Sequence, residues 1–212
     1  MLKIKSFTFN PFQENTYVLS IDREAVVIDP GNSDKHETAE LDKYVADEKL
    51  TVKYLLNTHC HIDHVLGNYH VKEKHKVPFL IHQTELPVLR AVKSYAPNYG
   101  FPQYTECEPD SFLKEGDEVV FGDVKARVIF VPGHAPGHIA FYFQEEEKLF
   151  SGDVLFRASI GRTDLPGGDF DTLIKSIHQK LFTLPDSVVV YSGHGPTTTI
   201  GEEKISNPFC AL

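Results

Sequence analysis

The chain has 212 residues, with 21 basic against 30 acidic side chains (net charge −9) and 41% hydrophobic content. That length favours one large domain or two small ones, burying roughly 70% of the unfolded surface without disulfide staples, and the apolar fraction excludes a disordered chain. A sequence pI near 5.6 argues against a nucleic-acid partner, because phosphate contacts need clustered Lys and Arg, and no apolar run is long enough to span a membrane.

Alternation over residues 2–9 reads as a strand rather than a signal peptide. Further strands are predicted over 16–21 and 25–28, the last closed by the turn Asp29-Pro30-Gly31. Asp34 followed by Glu37 resembles a capping box opening a helix to about Asp47. A short apolar strand over 52–56 then leads into a histidine cluster. Beyond it come a helix over 65–75, a strand over 77–81, a helix over 84–92 and a long loop over 94–111. A hairpin over 119–131 turns at Gly122-Asp123 and is followed by a loop over 132–137. Strands over 139–143 and 148–150, a helix over 170–182 and a strand over 188–191 complete a mixed α/β pattern. Cys60, Cys107 and Cys210 are odd in number and irregularly spaced, so no disulfide framework is expected and a reducing, cytoplasmic location is.

Three imidazoles and a carboxylate crowd the six residues His59-Cys60-His61-Ile62-Asp63-His64. If the chain stays extended, His59, His61 and Asp63 share one face, while Cys60 and Ile62 point into apolar packing. Cys60 is therefore not expected to be a nucleophile. His64 breaks the alternation, so the chain is expected to turn there into the following helix. Packed imidazoliums repel one another without a shared cation, and a borderline ion such as zinc takes neutral imidazole and carboxylate together.

This cluster resembles the His-x-His-x-Asp-His signature of the metallo-β-lactamase superfamily, and further matches run along the whole chain. They fall at His134 in Pro132-Gly133-His134, Asp153 in Ser151-Gly152-Asp153 and His194 in Ser192-Gly193-His194-Gly195, with Asp29 matching an early aspartate that supports the site. The resemblance implies an αββα sandwich: two mixed sheets face to face, helices outside. It also implies a dinuclear centre with His59, His61 and His134 on one metal and Asp63, His64 and His194 on the other. Asp153 would bridge the two ions, which are expected to be zinc. Asp63 and Asp153 are the carboxylates expected to serve catalysis.

The stretch from Gly161 to Asp169 and the ending Asn207-Pro208-Phe209 look like the short glyoxalase II-like branch, the hydroxyacylglutathione hydrolases. That likeness implies cleavage of a small thioester such as S-lactoylglutathione by a metal-bridging hydroxide, the thiolate leaving without a strong acid. The longer glyoxalase II enzymes carry a C-terminal helical domain that contacts glutathione. Here a single domain over residues 1–212 is expected, with Arg157, Arg162 and Lys204 as the nearest substitutes for those contacts. The alternative is the persulfide dioxygenase branch, which shares a Gly-Arg-Thr-Asp stretch and holds one iron. His59, His134 and Asp153 would be its ligands.

Overall fold

The alternating N-terminal segment forms β1 (Lys3–Phe9), which pairs antiparallel with β2 (Glu14–Ile21), and β2 pairs antiparallel with β3 (Glu24–Ile28). Helix α1 (Lys35–Asp47) then crosses over to β4 (Thr51–Leu56), which lies parallel to β3. Asp34 caps α1 by accepting hydrogen bonds from the backbone N–H groups of His36 and Glu37 at 2.8 and 2.9 Å. Glu37 reaches back to the backbone N–H of Ser33 rather than that of Asp34, at 2.6 Å. Short helices α2 (Ile62–Val65) and α3 (Asn68–His75) lead to β5 (Phe79–His82), parallel to β4. Helix α4 (Leu86–Tyr95) and the edge strand β6 (Ser111–Leu113) complete a six-stranded sheet in the order β1-β2-β3-β4-β5-β6.

In this computed structural model, which describes residues Met1–Leu212, these elements belong to the first of two compact units, Met1–Phe112 with Val120–Val124; the second is Leu113–Val119 with Lys125–Leu212. A second mixed sheet begins with the predicted hairpin, β7 (Glu118–Phe121) and β8 (Val124–Phe130), turning at Gly122 with φ +56°. It continues through β9 (Ile139–Phe143) and β10 (Lys148–Gly152), then a two-residue hairpin of β11 (Leu155–Phe156) and β12 (Ser159–Ile160). Helix α5 (Phe170–Gln179) crosses to β13 (Val189–Ser192), which runs parallel to β10. Strand β14 (Thr198–Thr199) and helix α6 (Ile200–Ser206) end the unit, whose sheet order is β14-β13-β10-β9-β8-β7.

Each unit has its own apolar core. Phe7, Val18, Leu55, Phe79 and Leu89 belong to the first. Ile129, Leu149, Leu173, Val190 and Ile200 belong to the second. No helix is long and apolar enough to cross a membrane.

The single helix expected over 65–75 is instead two. The Gly67 N–H donates to Pro30 O at 2.7 Å, and a Cβ on Gly67 would stand 1.9 Å from Asn32 Oδ1. The turn after β3 thus occupies the space a longer side chain would need, and only glycine lets the helices break there. Helix α5 stops at Gln179, and the last expected turn is the 3-10 segment Leu181–Thr183.

Candidate metal centre

In the first unit the donors gather where two parallel strands end. The Asp29 N–H, just past β3, donates to Leu56 O at the end of β4 (2.9 Å), which brings residues 57–59 alongside the Asp29 carboxylate. Oδ1 accepts from the Thr58 N–H at 2.7 Å and from Asn57 Nδ2 at 3.1 Å. Oδ2 accepts from Thr58 Oγ1 at 2.6 Å and lies 3.1 Å from His64 Nδ1. A carboxylate cannot donate, so His64 carries its hydrogen on Nδ1 and turns a lone pair outward at Nε2. The Thr58 hydroxyl, having given its hydrogen to Asp29, accepts from His59 Nδ1 at 3.0 Å. One carboxylate therefore fixes the tautomers of two imidazoles. Asp29, His59 and His64 offer ligand atoms within 4.8 Å of one another, yet Asp29's four lone-pair sites already face four donors, so it orients ligands rather than binding an ion.

His59 and His64 are buried, His61 and Asp63 half-buried. The His59 ring centroid is 4.8 Å from that of His61 and 4.1 Å from that of His64. The alternation expected of an extended chain does not hold, because β4 ends at Leu56 and α2 starts at Ile62, placing Asp63 and His64 on a helical turn. Cys60 and Ile62 nevertheless pack into the apolar core as expected. The Cys60 N–H is held by buried Glu85 at 2.8 Å, and burial pushes its thiol well above the usual range.

Two further groups were not found from sequence. Buried Glu14 accepts from Thr16 Oγ1 at 2.8 Å and lies 3.9 Å from His64 Nδ1; burial raises its carboxyl well above the ordinary range. Asn10 Nδ2 donates to Asp63 O at 3.0 Å. The available signal for Glu14 was a carboxylate shortly before the apolar run Tyr17-Val18-Leu19; Asn10 gave none.

In the second unit parallel pairing again sets the geometry. Asp153 follows β10 and His194 follows β13, and the Gly193 N–H donates to Gly152 O at 2.9 Å. His134 Nδ1 donates to Arg162 O at 2.8 Å, leaving a lone pair at Nε2. That Nε2 is 3.6 Å from Asp153 Oδ2, and His194 Nε2 is 3.5 Å from the same oxygen. His138 Nε2, also missed from sequence, accepts from the Asp153 N–H at 3.1 Å. His134 and Asp153 are buried, His194 half-buried.

Both units therefore hold imidazole lone pairs facing carboxylate oxygens. His134 Nε2 faces Asp153 Oδ2 at 3.6 Å, and His64 Nε2 faces Asp63 Oδ2 at 3.7 Å. With each ring's hydrogen committed on Nδ1, acceptor opposes acceptor at a distance too long for a hydrogen bond. A cation between them turns that repulsion into coordination, and imidazole with carboxylate is a donor set for zinc or iron. The chain's His/Asp clusters can hold metal.

Of the three cations singled out from sequence, two are engaged. Arg162 forks onto Asp164 with both bonds at 2.7 Å, holding that carboxyl down at about 2. Lys204 pairs with Asp186 and donates to Leu184 O at 3.2 Å. Arg157 is exposed on the turn between β11 and β12.

The fold and its donors define a metal-dependent hydrolase class. The metallo-β-lactamase superfamily pattern matches residues 9–194, and the chain belongs to that superfamily. It is similar to a Bacillus subtilis (strain 168) protein named Probable metallo-hydrolase YqgX, at 37% identity over 98% of this chain and 97% of the relative. It is also similar to Hydroxyacylglutathione hydrolase GloC of Haemophilus influenzae (strain ATCC 51907 / DSM 11121 / KW20 / Rd), at 36% identity over 98% of both. Among solved structures, the BLEG-1 B3 metallo-β-lactamase matches with a TM-score of 0.89 and 40% identity, covering 98% of this chain and 99% of that one. TTHA1623 in a di-iron-bound form matches at 0.86 and 38%, covering 97% and 99%. ETHE1 from Myxococcus xanthus matches at 0.80 and 27%, covering 97% and 83%.

Proposed function

We propose that the protein is a dinuclear metal hydrolase that cleaves a small thioester. The carrying observation is the opposition of acceptor atoms, His64 Nε2 to Asp63 and His134 Nε2 to Asp153, at 3.7 and 3.6 Å. In this reading His59, His61 and His134 would hold one ion and Asp63, His64 and His194 the other, with Asp153 a ligand available to both. The relative named hydroxyacylglutathione hydrolase supports a thioester substrate; the di-iron-bound neighbour supports a two-metal site, which we assign to zinc, with iron the alternative.

Two divalent ions, when bound, would bring the pKa of water to about 7 and polarise an acyl oxygen. The chain's own residues do the rest. Asp29 keeps His59 and His64 in the ligating tautomer, and Arg162 O does so for His134. A thiolate, with a parent pKa of about 8.5, leaves without an acid from the protein. Exposed Arg157 is the cation assigned to a carboxylate of a glutathione-derived substrate. The acidic surface charge fits a small-molecule substrate rather than nucleic acid or membrane, and three buried free cysteines fit a reducing, cytoplasmic location.

The test is metal analysis of the purified protein beside a thioester assay with S-lactoylglutathione and an oxygen-electrode trace with glutathione persulfide. About two metal equivalents per chain and thioester cleavage without oxygen uptake are expected. Oxygen uptake with no thioester cleavage would overturn the hydrolase in favour of a mononuclear iron dioxygenase.

A further inference from the structure

One short segment touches all three second-unit donors. It starts at Asp153, and the Phe156 ring meets that of His194 edge-on at 6.2 Å between centroids. A Cβ on Gly161 would stand 1.9 Å from Asp153 O and 3.0 Å from His134 Nδ1, so the returning strand packs directly on both. Arg162 O then accepts the His134 hydrogen at 2.8 Å. The near end of the segment is anchored at Leu155 O, which accepts from Ser151 Oγ at 3.1 Å and Ser192 Oγ at 2.8 Å.

Its far end is the turn Arg157-Ala158, where Ala158 takes φ +55°. The left-handed region costs an L-residue roughly 1–2 kcal/mol, and such a conformation persists only where its surroundings impose it. Helix α6 imposes it. Glu203 is 2% exposed, and its Oε2 accepts from the Ala158 N–H at 3.0 Å and from Asn207 Nδ2 at 2.7 Å. Its Oε1 accepts from Thr198 Oγ1. Asn207 Nδ2 also donates to Ser159 O at 2.9 Å. A buried carboxylate and an amide from one helix thus hold an N–H and a C=O of the same turn.

We propose that Glu203 and Asn207 are positioning residues for the donor set His134, Asp153 and His194, acting through the segment from Asp153 to Arg162; this rests on the metal-centre reading above. Without the clamp the turn loses the partner that offsets its strain. The segment can then pivot about Leu155, withdrawing Phe156 from His194 and Gly161 from Asp153.

The test uses the full-length protein and compares Glu203→Ala, Glu203→Gln and Asn207→Ala, with Ile205→Ala, 83% exposed on the same helix, as control. Glutamine can keep every bond. Its carbonyl accepts from Ala158 and Asn207, and its amide donates to Thr198 Oγ1, whose hydrogen can turn to Glu202 Oε2 at 3.1 Å. Zinc retention is read by chelator competition, kcat and KM with a thioester, and Tm on the metal-free protein. Glu203→Ala and Asn207→Ala are expected to weaken zinc retention about tenfold or more and to lower kcat. Glu203→Gln restores both, and the control changes neither. A lower metal-free Tm with unchanged zinc retention would make the clamp merely structural and overturn the proposal. Should Glu203→Ala not fold, Asn207→Ala, which spares the Glu203–Ala158 bond, decides alone by the same readouts. A wild-type protein that binds no zinc or iron would instead overturn the metal-centre reading, and this proposal with it.

Discussion

The two donor sets are fixed by opposite means. In the first unit a side chain does it: Asp29 reaches His64 directly and His59 through Thr58. In the second the main chain fixes the imidazole, since His134 is locked by the carbonyl of Arg162, while the Asp153 N–H is held by the His138 side chain. A lock made by a carboxylate can be removed by one substitution. A lock made by a carbonyl belongs to the path of the chain and survives replacement of the side chain that carries it.

The ligands themselves should not differ between units. His59→Ala and Asp153→Ala are each expected to lose most bound metal and to cut hydrolysis at least about a hundredfold, read by metal analysis and kcat. Equal metal content in either variant would break the comparison at its root. One step out, the units should part. Asp29→Asn leaves the buried donors around it mismatched, so zinc retention should fall by about 10–100-fold and the metal-free protein should lose about 2–3 kcal/mol in denaturant unfolding. Arg162→Ala keeps its carbonyl and should hold zinc within about twofold of wild type. Comparable losses in both variants would show that the two locks do not differ in kind.

Arg157→Ala should raise KM for a carboxylate-bearing thioester about tenfold with metal content unchanged, the size of one lost charge-assisted hydrogen bond. An equal rise with a neutral thioester would count against an anion contact. The smallest effect concerns Asp164. Its carboxyl, held at about 2 by the Arg162 guanidinium, is a depressed acid whose small contribution to stability is present above the ordinary 3.8 and lost as pH falls through about 2. Carboxyl NMR should show Arg162→Ala returning it towards 3.8.

The same contrast decided what could be read from sequence. Four first-unit donors fall within six residues, so their spacing alone pointed to a metal. His134, Asp153 and His194 span 61 positions, each beside a glycine that reads as an ordinary turn, and only the family pattern linked them. Glu14, Glu85 and His138 act through contacts made by chain packing, which no local pattern records. The strand ends at Leu56 as expected, but Asn57 and Thr58 then spend polar groups on Asp29, and Asp63 and His64 fall on a helical turn rather than on an extended segment. Strands β11, β12 and β14 have two residues each, too few for alternation to register. Helix α6 opens Ile200-Gly201 and relies on Thr199, which accepts from the Glu202 N–H at 3.1 Å, to start.

Cys60, between two imidazole-bearing neighbours, has a consequence for reactivity. The thiolate is the form that captures electrophiles and oxidants, and burial works against it at every cysteine: Cys60 is pushed well above its usual range, Cys107 to about 11 and Cys210 to about 12. The folded protein should therefore stay silent towards alkylating reagents, and an inhibitor aimed at a thiol beside the metal would find none to react with. Each thiol answers only when its own surroundings open. Labelling at Cys60 and Cys107 reports the opening of the first unit and labelling at Cys210 that of the second, so the native cysteines time the opening of each unit without an added probe.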